Sequence, residues 1–208
     1  MNEYFVPAAY GEAEFVEKRS RFIGRVWRTE TEAEALARIQ EMREKHWDAT
    51  HNVYAYIIRD GGAMRYSDDG EPSGTSGQPV LGVFRSKEIF NVCCVVTRYF
   101  GGVLLGAGGL VRAYSHTAAL ALERSGIAAM RLWRVLSMSV PYNLYERVKK
   151  LCQAQGAVLE REEFGAAVEL QLLLPDALYG DFSQKLQDLS AGSVQPKDLG
   201  TRFTDIRI

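Results

Sequence analysis

Residues 91–99 read NVCCVVTRY, the strongest buried-strand signal in the chain. An apolar, β-rich run this continuous is a strand covered on its faces, not one alternating between core and water. Cys93 and Cys94 are neighbours within it, so their side chains point to opposite sheet faces. The strand runs into a glycine-rich loop at residues 100–109 and then into a helix at residues 110–124. Leu110, Tyr114, Thr117, Ala118, Ala121 and Leu122 share one side of that helix, and Gly126 supplies its stop. A strand, loop and helix in this order anchor a mixed α and β fold.

The flanking segments extend that pattern. Residues 14–28 read as two strands broken near Ser20. Residues 29–45 read as a helix, with a capping box formed by Thr29 and Glu32 or by Thr31 and Glu34, and with Leu36, Ile39 and Met42 on its inner side. Residues 52–59 are a strand, and Gly61-Gly62 turns the chain into a short one at 64–66. Residues 79–87 form a short helix with Pro79 at its first position. A new pattern begins near Arg134. Leu136, Met138 and Val140 alternate along a strand. Asn143 with Glu146 starts a helix that turns Leu144, Val148, Leu151 and Cys152 inward and ends at Gly156. Residues 158–162 and 166–174 make a hairpin around Phe164-Gly165, Leu178, Phe182, Leu186 and Leu189 mark another helix, and residues 194–199 are the last strand. The order β-α-β-β-α-β suits a ferredoxin-like sandwich.

Bulk properties exclude several classes. The chain has 208 residues, which suits one large or two modest domains, and its 47% hydrophobic content fills a core. There is no apolar run of roughly 18 residues to span a membrane. The first residues, MNEYFVPAAYGEAEF, have no signal-peptide pattern, so a cytoplasmic location is expected. The cysteines are Cys93, Cys94 and Cys152, an odd count without CxxC, and read as buried thiols with no disulfide partner. The net charge is −1, and basic and acidic residues balance on either side of residue 133. Neither part is a basic domain, so any nucleic-acid contact must come from a local patch.

Two loops carry the candidate chemistry. Residues 67–78, SDDGEPSGTSGQ, are a run of turn formers holding Asp68, Asp69 and Glu71 among polar Ser67, Ser73 and Thr75. Three close carboxylates repel unless donors, arginines or a cation offset them. They serve either as a structural turn, with Asp68 and Asp69 capping backbone donors and pairing with arginines, or as a site for a polar ligand or a divalent cation at Asp68 and Asp69. No resident metal or cofactor is expected. The second loop places Gly101, Gly102, Gly106, Gly108 and Gly109 between Arg98-Tyr99 and Arg112. Free amides at the following helix start, with Arg112 beside them, suit an anion or RNA phosphate, although tight helix packing alone also explains the glycines. It is neither a Walker loop nor a dinucleotide fingerprint. His46 and His51 lie too far apart in sequence for one helical metal pair, and loop hydrogen bonding is the expectation for both. His116 reads as surface. Of Tyr54, Tyr56, Tyr66, Tyr99 and Phe100, most are expected in the core, with one or two at the loop rims placed to stack on a base.

Three segments together, SRFIG at 20–24, SDDGEPSGTSGQP at 67–79 and VVTRYFGGVLLGAGGLVRAYS at 95–115, resemble the IMPACT/YigZ family. The resemblance spans most of residues 1–125, and the C-terminal part resembles the small domain of the bacterial two-domain members. It implies an α+β chain: residues 1–133 as an IMPACT-type domain like the second domain of ribosomal protein S5, and residues 134–208 as a ferredoxin-like domain similar to the last domain of elongation factor G. Many relatives read GG-x-K-L-G where this chain has Gly102-Val103-Leu104-Leu105-Gly106, so the family's basic residue is Leu104 here. The eukaryotic relative regulates translation by competing for a partner of a stress-activated kinase. The resemblance supplies no catalytic residue set.

These observations support three readings, in order: a nucleic-acid or ribosome-associated binding protein linked to regulation of translation; an enzyme acting on a phosphorylated or nucleotide substrate; and a protein–protein regulator. RNA or a translation component is the expected partner of the first. Sequence alone assigns no reaction and no oligomeric state.

Overall fold

The computed structural model describes residues 3–205. Two compact units divide the chain, Tyr4–Ala129 and, from Met130 onward, a second that includes Glu3. After β1 (Glu3–Pro7) the first unit runs through β2 (Gly11–Glu17), β3 (Ser20–Arg28), α1 (Glu32–Lys45), β4 (His51–Ile57), β5 (Met64–Ser67), α2 (Gly77–Ser86), β6 (Val92–Tyr99) and α3 (Ala107–Ser125). Its antiparallel sheet has the order β2-β3-β6-β4-β5.

The central strand β6 is buried along nearly its whole length. Val92, Cys94 and Val96 pack with α2 and α3 in a core that includes Val80, Phe84, Leu110, Tyr114 and Leu122. Cys93 and Val95 point the other way, into a smaller core with Ala35, Ile39 and Met42 of α1. The sheet is therefore clad on both faces, and alternation along β6 assigns each cysteine to its own layer. Small residues bring α3 close: a Cβ on Gly11 would lie 2.2 Å from the Ala121 carbonyl oxygen, and one on Gly24 2.8 Å from that of Thr117.

The second unit contains most of β7 (Ile127–Val140), then α4 (Tyr142–Ala154), β8 (Val158–Phe164), β9 (Val168–Pro175), α5 (Tyr179–Ser190) and β10 (Lys197–Thr204). In its sheet β10 pairs β7, β7 pairs β9 and β9 pairs β8, each antiparallel. Leu136, Met138 and Val140 meet Val168, Leu170, Leu172 and Leu174 on one face, beneath Val148 and Cys152 of α4 and Phe182 and Leu186 of α5.

Several boundaries differ from those expected, each for a local reason. Helix α1 starts at Glu32, because Thr31 Oγ1 accepts the Glu34 amide at 3.2 Å; Leu36 is half exposed and Ala35 takes the inner position. Helix α2 starts at Gly77, ahead of Pro79, because the Asp68 carboxylate accepts the amides of Ser76 and Gly77. Helix α4 starts at Tyr142, directly after Pro141, so Asn143 lies inside its first turn. Strand β7 begins at Ile127, straight after Gly126. The last strand lies at Lys197–Thr204, where it pairs with β7 between Arg131 and Ser137, while Val194 is packed in the core. Among the described residues no helix is long and apolar enough to cross a membrane.

Candidate functional site

Register places the site at one end of the first sheet. Arg98, near the end of β6, lies opposite Phe22 on β3 and His51 on β4. All three belong to the face covered by α2 and α3. The guanidinium lies 5.3 Å from the Phe22 ring centroid and 5.4 Å from that of Phe100.

The acidic loop folds inward. Asp68 Oδ1 accepts the Ser76 hydroxyl at 2.7 Å and the amides of Gly77 at 2.8 Å and Ser76 at 3.2 Å, while Oδ2 accepts the Gly74 amide at 2.8 Å. Burial alone would raise this carboxyl, but these donors outweigh it and hold it below its ordinary value. Asp69 and Gly70 both adopt left-handed backbone, with φ of 47° and 89°. Asp69 Oδ2 accepts the Asn52 amide at 2.6 Å, its Oδ1 takes Arg43 at 3.3 Å, and its carbonyl oxygen lies 2.7 Å from His51 Nδ1. Asp68 and Asp69 thus serve different partners, and among the described residues no group of three or more His, Cys, Asp or Glu is arranged to hold a metal ion.

Glu71 goes furthest inward. Its Oε1 accepts Arg98 Nη1 at 2.6 Å and the Tyr114 hydroxyl at 2.7 Å, and all three side chains are buried. Burial, and then the Glu71 charge, hold Tyr114 far above the ordinary phenol value, so it stays a donor. Ser20 completes the group: its Oγ lies 3.3 Å from Arg98 Nη2 and accepts the Gly101 amide at 3.2 Å.

The two loops meet around a cavity of about 410 Å³. Its walls include Thr50, His51, Gly70, Glu71, Pro72 and Arg98 on one side and Phe100, Leu104, Leu105, Gly106, Ala107 and Leu110 on the other. Gly106, with φ of 73°, is the N-cap of α3 and brings no capping side chain. Its carbonyl accepts the Leu110 amide, so the amides of Ala107, Gly108 and Gly109 precede the first internal bond of the helix.

Of the residues singled out from sequence, Arg98, Glu71, Gly106, Phe100, His51 and Leu104 line this cavity. Gly101 packs against the β2–β3 turn, where a Cβ would come within 2.1 Å of Arg19 backbone. Gly102, with φ of 80°, faces open space, and Gly108 sits in the first turn of α3. Gly109 and Arg112 line a separate cavity of about 620 Å³ with Phe15, Lys87 and His116. Tyr99 belongs to the opposite sheet face, where its hydroxyl meets His46 Nδ1 at 2.9 Å and Asp48 at 3.2 Å. Burial, then Arg25 and Lys45, depress the His46 pKa. Ser67 Oγ accepts the Asp69 amide, Thr75 Oγ1 donates to the Pro72 carbonyl, and Ser73 is exposed. Ser20, His51 and Tyr114 were not read as parts of this site from sequence. The available signal was polarity at positions where strand and helix periodicity call for apolar side chains.

Comparison with known proteins places this site in a family. The family model described as the Impact N-terminal domain matches residues 18–122. That span holds both loops, α3 as far as Leu122 and every residue that lines the 410 Å³ cavity. The chain belongs to the IMPACT family. A domain of unknown function, DUF1949, matches residues 138–193. The chain is 35% identical to the IMPACT family member YvyE of Bacillus subtilis, over 95% of this chain and 92% of that one. It is 33% identical to the IMPACT family member YigZ of Escherichia coli, covering 94% and 97%. A solved structure titled "Crystal structure of an hypothetical protein" aligns with a TM-score of 0.61 at 32% identity, covering 96% of this chain and 98% of that one. Both alignments run along nearly the whole length of the two chains compared.

Proposed function

We propose that this IMPACT family chain is a cytoplasmic RNA-binding protein linked to regulation of translation, and that its 410 Å³ cavity takes one unpaired nucleotide. The phosphate lies at the uncapped start of α3, and the base lies against Phe100, Leu104 and Leu105. The observation that carries this reading is the shared wall: the Gly106–Ala107 start of α3, Arg98 and a half-exposed Phe100 all border one cavity. Helix starts attract anions, and aromatic faces accept any base. Lys18 and Arg19, exposed in the β2–β3 turn that Gly101 packs against, supply local positive charge that net composition hides. The pairing of β10 with β7, β7 with β9 and β9 with β8 supports a ferredoxin-like second domain, and the clad five-stranded sheet supports an S5 domain 2-like first domain, for the proposed boundaries 1–133 and 134–208.

The test is fluorescence anisotropy with a labelled single-stranded RNA at low salt. Ala107→Glu places a carboxylate where the phosphate would sit, yet negative charge at a helix start favours folding. The variant is expected to melt no lower than the parent and to lose RNA binding. An unbound RNA, or a variant that binds as the parent does, overturns the proposal.

A further inference from the structure

Glu71 Oε2 and His51 Nε2 face each other on the cavity wall. Glu71 spends Oε1 on Arg98 and Tyr114, which leaves Oε2 directed at His51 Nε2, 3.8 Å away. The other ring nitrogen of His51 lies 2.7 Å from the Asp69 carbonyl oxygen, which only accepts. The proton of the neutral ring therefore sits on Nδ1, and Nε2 carries a lone pair. Backbone geometry enforces this tautomer, because the left-handed turn at Asp69 and Gly70 brings that carbonyl to the ring. Oε2 and Nε2 are thus complementary to a group with two hydrogens to give. The Glu71 side chain is only 3% exposed, so a donor reaching Oε2 is removed from bulk water, where charge-assisted bonds are strongest.

We infer that Glu71 Oε2 and His51 Nε2 are a base-reading pair that selects an amino-bearing nucleobase over uracil. This rests on the RNA-binding reading above and adds specificity to it. An exocyclic amino group offers one N–H to each acceptor. A hydroxyl satisfies only one, and the 4-carbonyl of uracil presents a third acceptor to two others. Cytosine and uracil have the same ring size and differ at this substituent and at N3, which carries a hydrogen only in uracil, so comparing them separates recognition of the base edge from stacking.

The experiment measures anisotropy of labelled oligo(rC) and oligo(rU) of equal length with the full chain. A preference for oligo(rC) of about 5- to 150-fold is expected, the range of one good polar base contact. Glu71→Gln keeps the shape of the side chain. Its carbonyl must remain toward Arg98 and Tyr114, so its NH2 takes the place of Oε2, gives one hydrogen to His51 Nε2 and offers the other to a carbonyl. In this variant the preference is expected to vanish or reverse toward oligo(rU). If Glu71→Gln fails to fold, His51→Leu decides, and loss of the preference supports the pair. Equal affinity of the parent for both oligonucleotides overturns this inference and leaves RNA binding standing. A folded Glu71→Gln or His51→Leu that keeps the parental ranking also overturns it. Binding of neither oligonucleotide overturns both the inference and the RNA reading.

Discussion

Arg98 Nη1 and Glu71 Oε1 lie 2.6 Å apart, and both side chains are almost completely buried. Such a pair recovers its desolvation cost only with good geometry and further hydrogen bonds: Tyr114 donates to Oε1, and Ser20 Oγ accepts from Nη2. Removing one partner leaves the other charge without compensation. Glu71→Ala is therefore expected to destabilise the first unit by about 3–5 kcal/mol, whereas Tyr114→Phe, which removes one donor, costs about 1–2 kcal/mol. Urea unfolding of the variants, followed by far-ultraviolet circular dichroism, checks the ranking. If Glu71→Ala matches Tyr114→Phe, the ion pair contributes little to the fold.

Asp68 makes stability depend on acid. Its donors hold the folded carboxyl below its ordinary value of 3.8. A depressed folded pKa gives stability that is present above the unfolded pKa and lost as pH falls through the folded one. The urea midpoint of the parent is thus expected to hold above about pH 5 and to fall from pH 4 downward as this carboxyl protonates. Asp68→Asn, which turns an NH2 toward donors, should cost about 1–3 kcal/mol at pH 7 and flatten that part of the acid limb. Midpoints measured at half-unit intervals from pH 3 to pH 6 provide the comparison. An unchanged acid limb in the variant would assign the fall to other carboxyls.

How legible all this was in the sequence depended on how local each feature is. The strand at Val92–Tyr99 and the buried side of α3 could be read directly, because alternation and helical periodicity are properties of neighbouring residues. The division of Cys93 and Cys94 between two cores followed from the same alternation. The site was legible only as two loops. Its centre joins Ser20, His51 and Arg98 through the register of three strands distant in sequence, and no local pattern encodes register. Glu71 stood as one of three equivalent carboxylates; the left-handed turn at Asp69 and Gly70 sends it inward and leaves Asp69 near the surface. Arg112 shows the opposite case: it follows the glycines in sequence, yet helical rotation turns it toward another cavity.

The thiols offer a check on both cores at once. Burial pushes Cys93 up to about 12 and Cys152 up to about 11, and raises Cys94 well above the ordinary thiol value. Thiolate is the reactive form, so all three should resist an aromatic disulfide reagent at pH 8 in the folded chain and react in full in denaturant. Cys152 lies in the second unit and Cys93 and Cys94 in the first. Partial reaction at intermediate urea, mapped by mass spectrometry, would report which unit opens first. A thiol that reacts rapidly without denaturant would contradict the packing of its own core.

Adjacent glycines separate two physical roles. At Gly101 a Cβ would come within 2.1 Å of the Arg19 carbonyl carbon and oxygen, which are backbone atoms and yield only if the β2–β3 turn shifts. At Gly102 nothing lies within 4 Å of the added atom, but φ is 80°. Gly102→Ala thus meets only the backbone penalty of a left-handed residue, about 1 kcal/mol. Gly101→Ala meets a clash, with an expected cost of about 1–3 kcal/mol or more, and it also moves Lys18 and Arg19. Thermal melts should rank the parent above Gly102→Ala and that above Gly101→Ala, and RNA titration should show the larger loss for Gly101→Ala. The reverse order in the melts would mean that the turn yields easily and that Gly101 is not what positions Lys18 and Arg19.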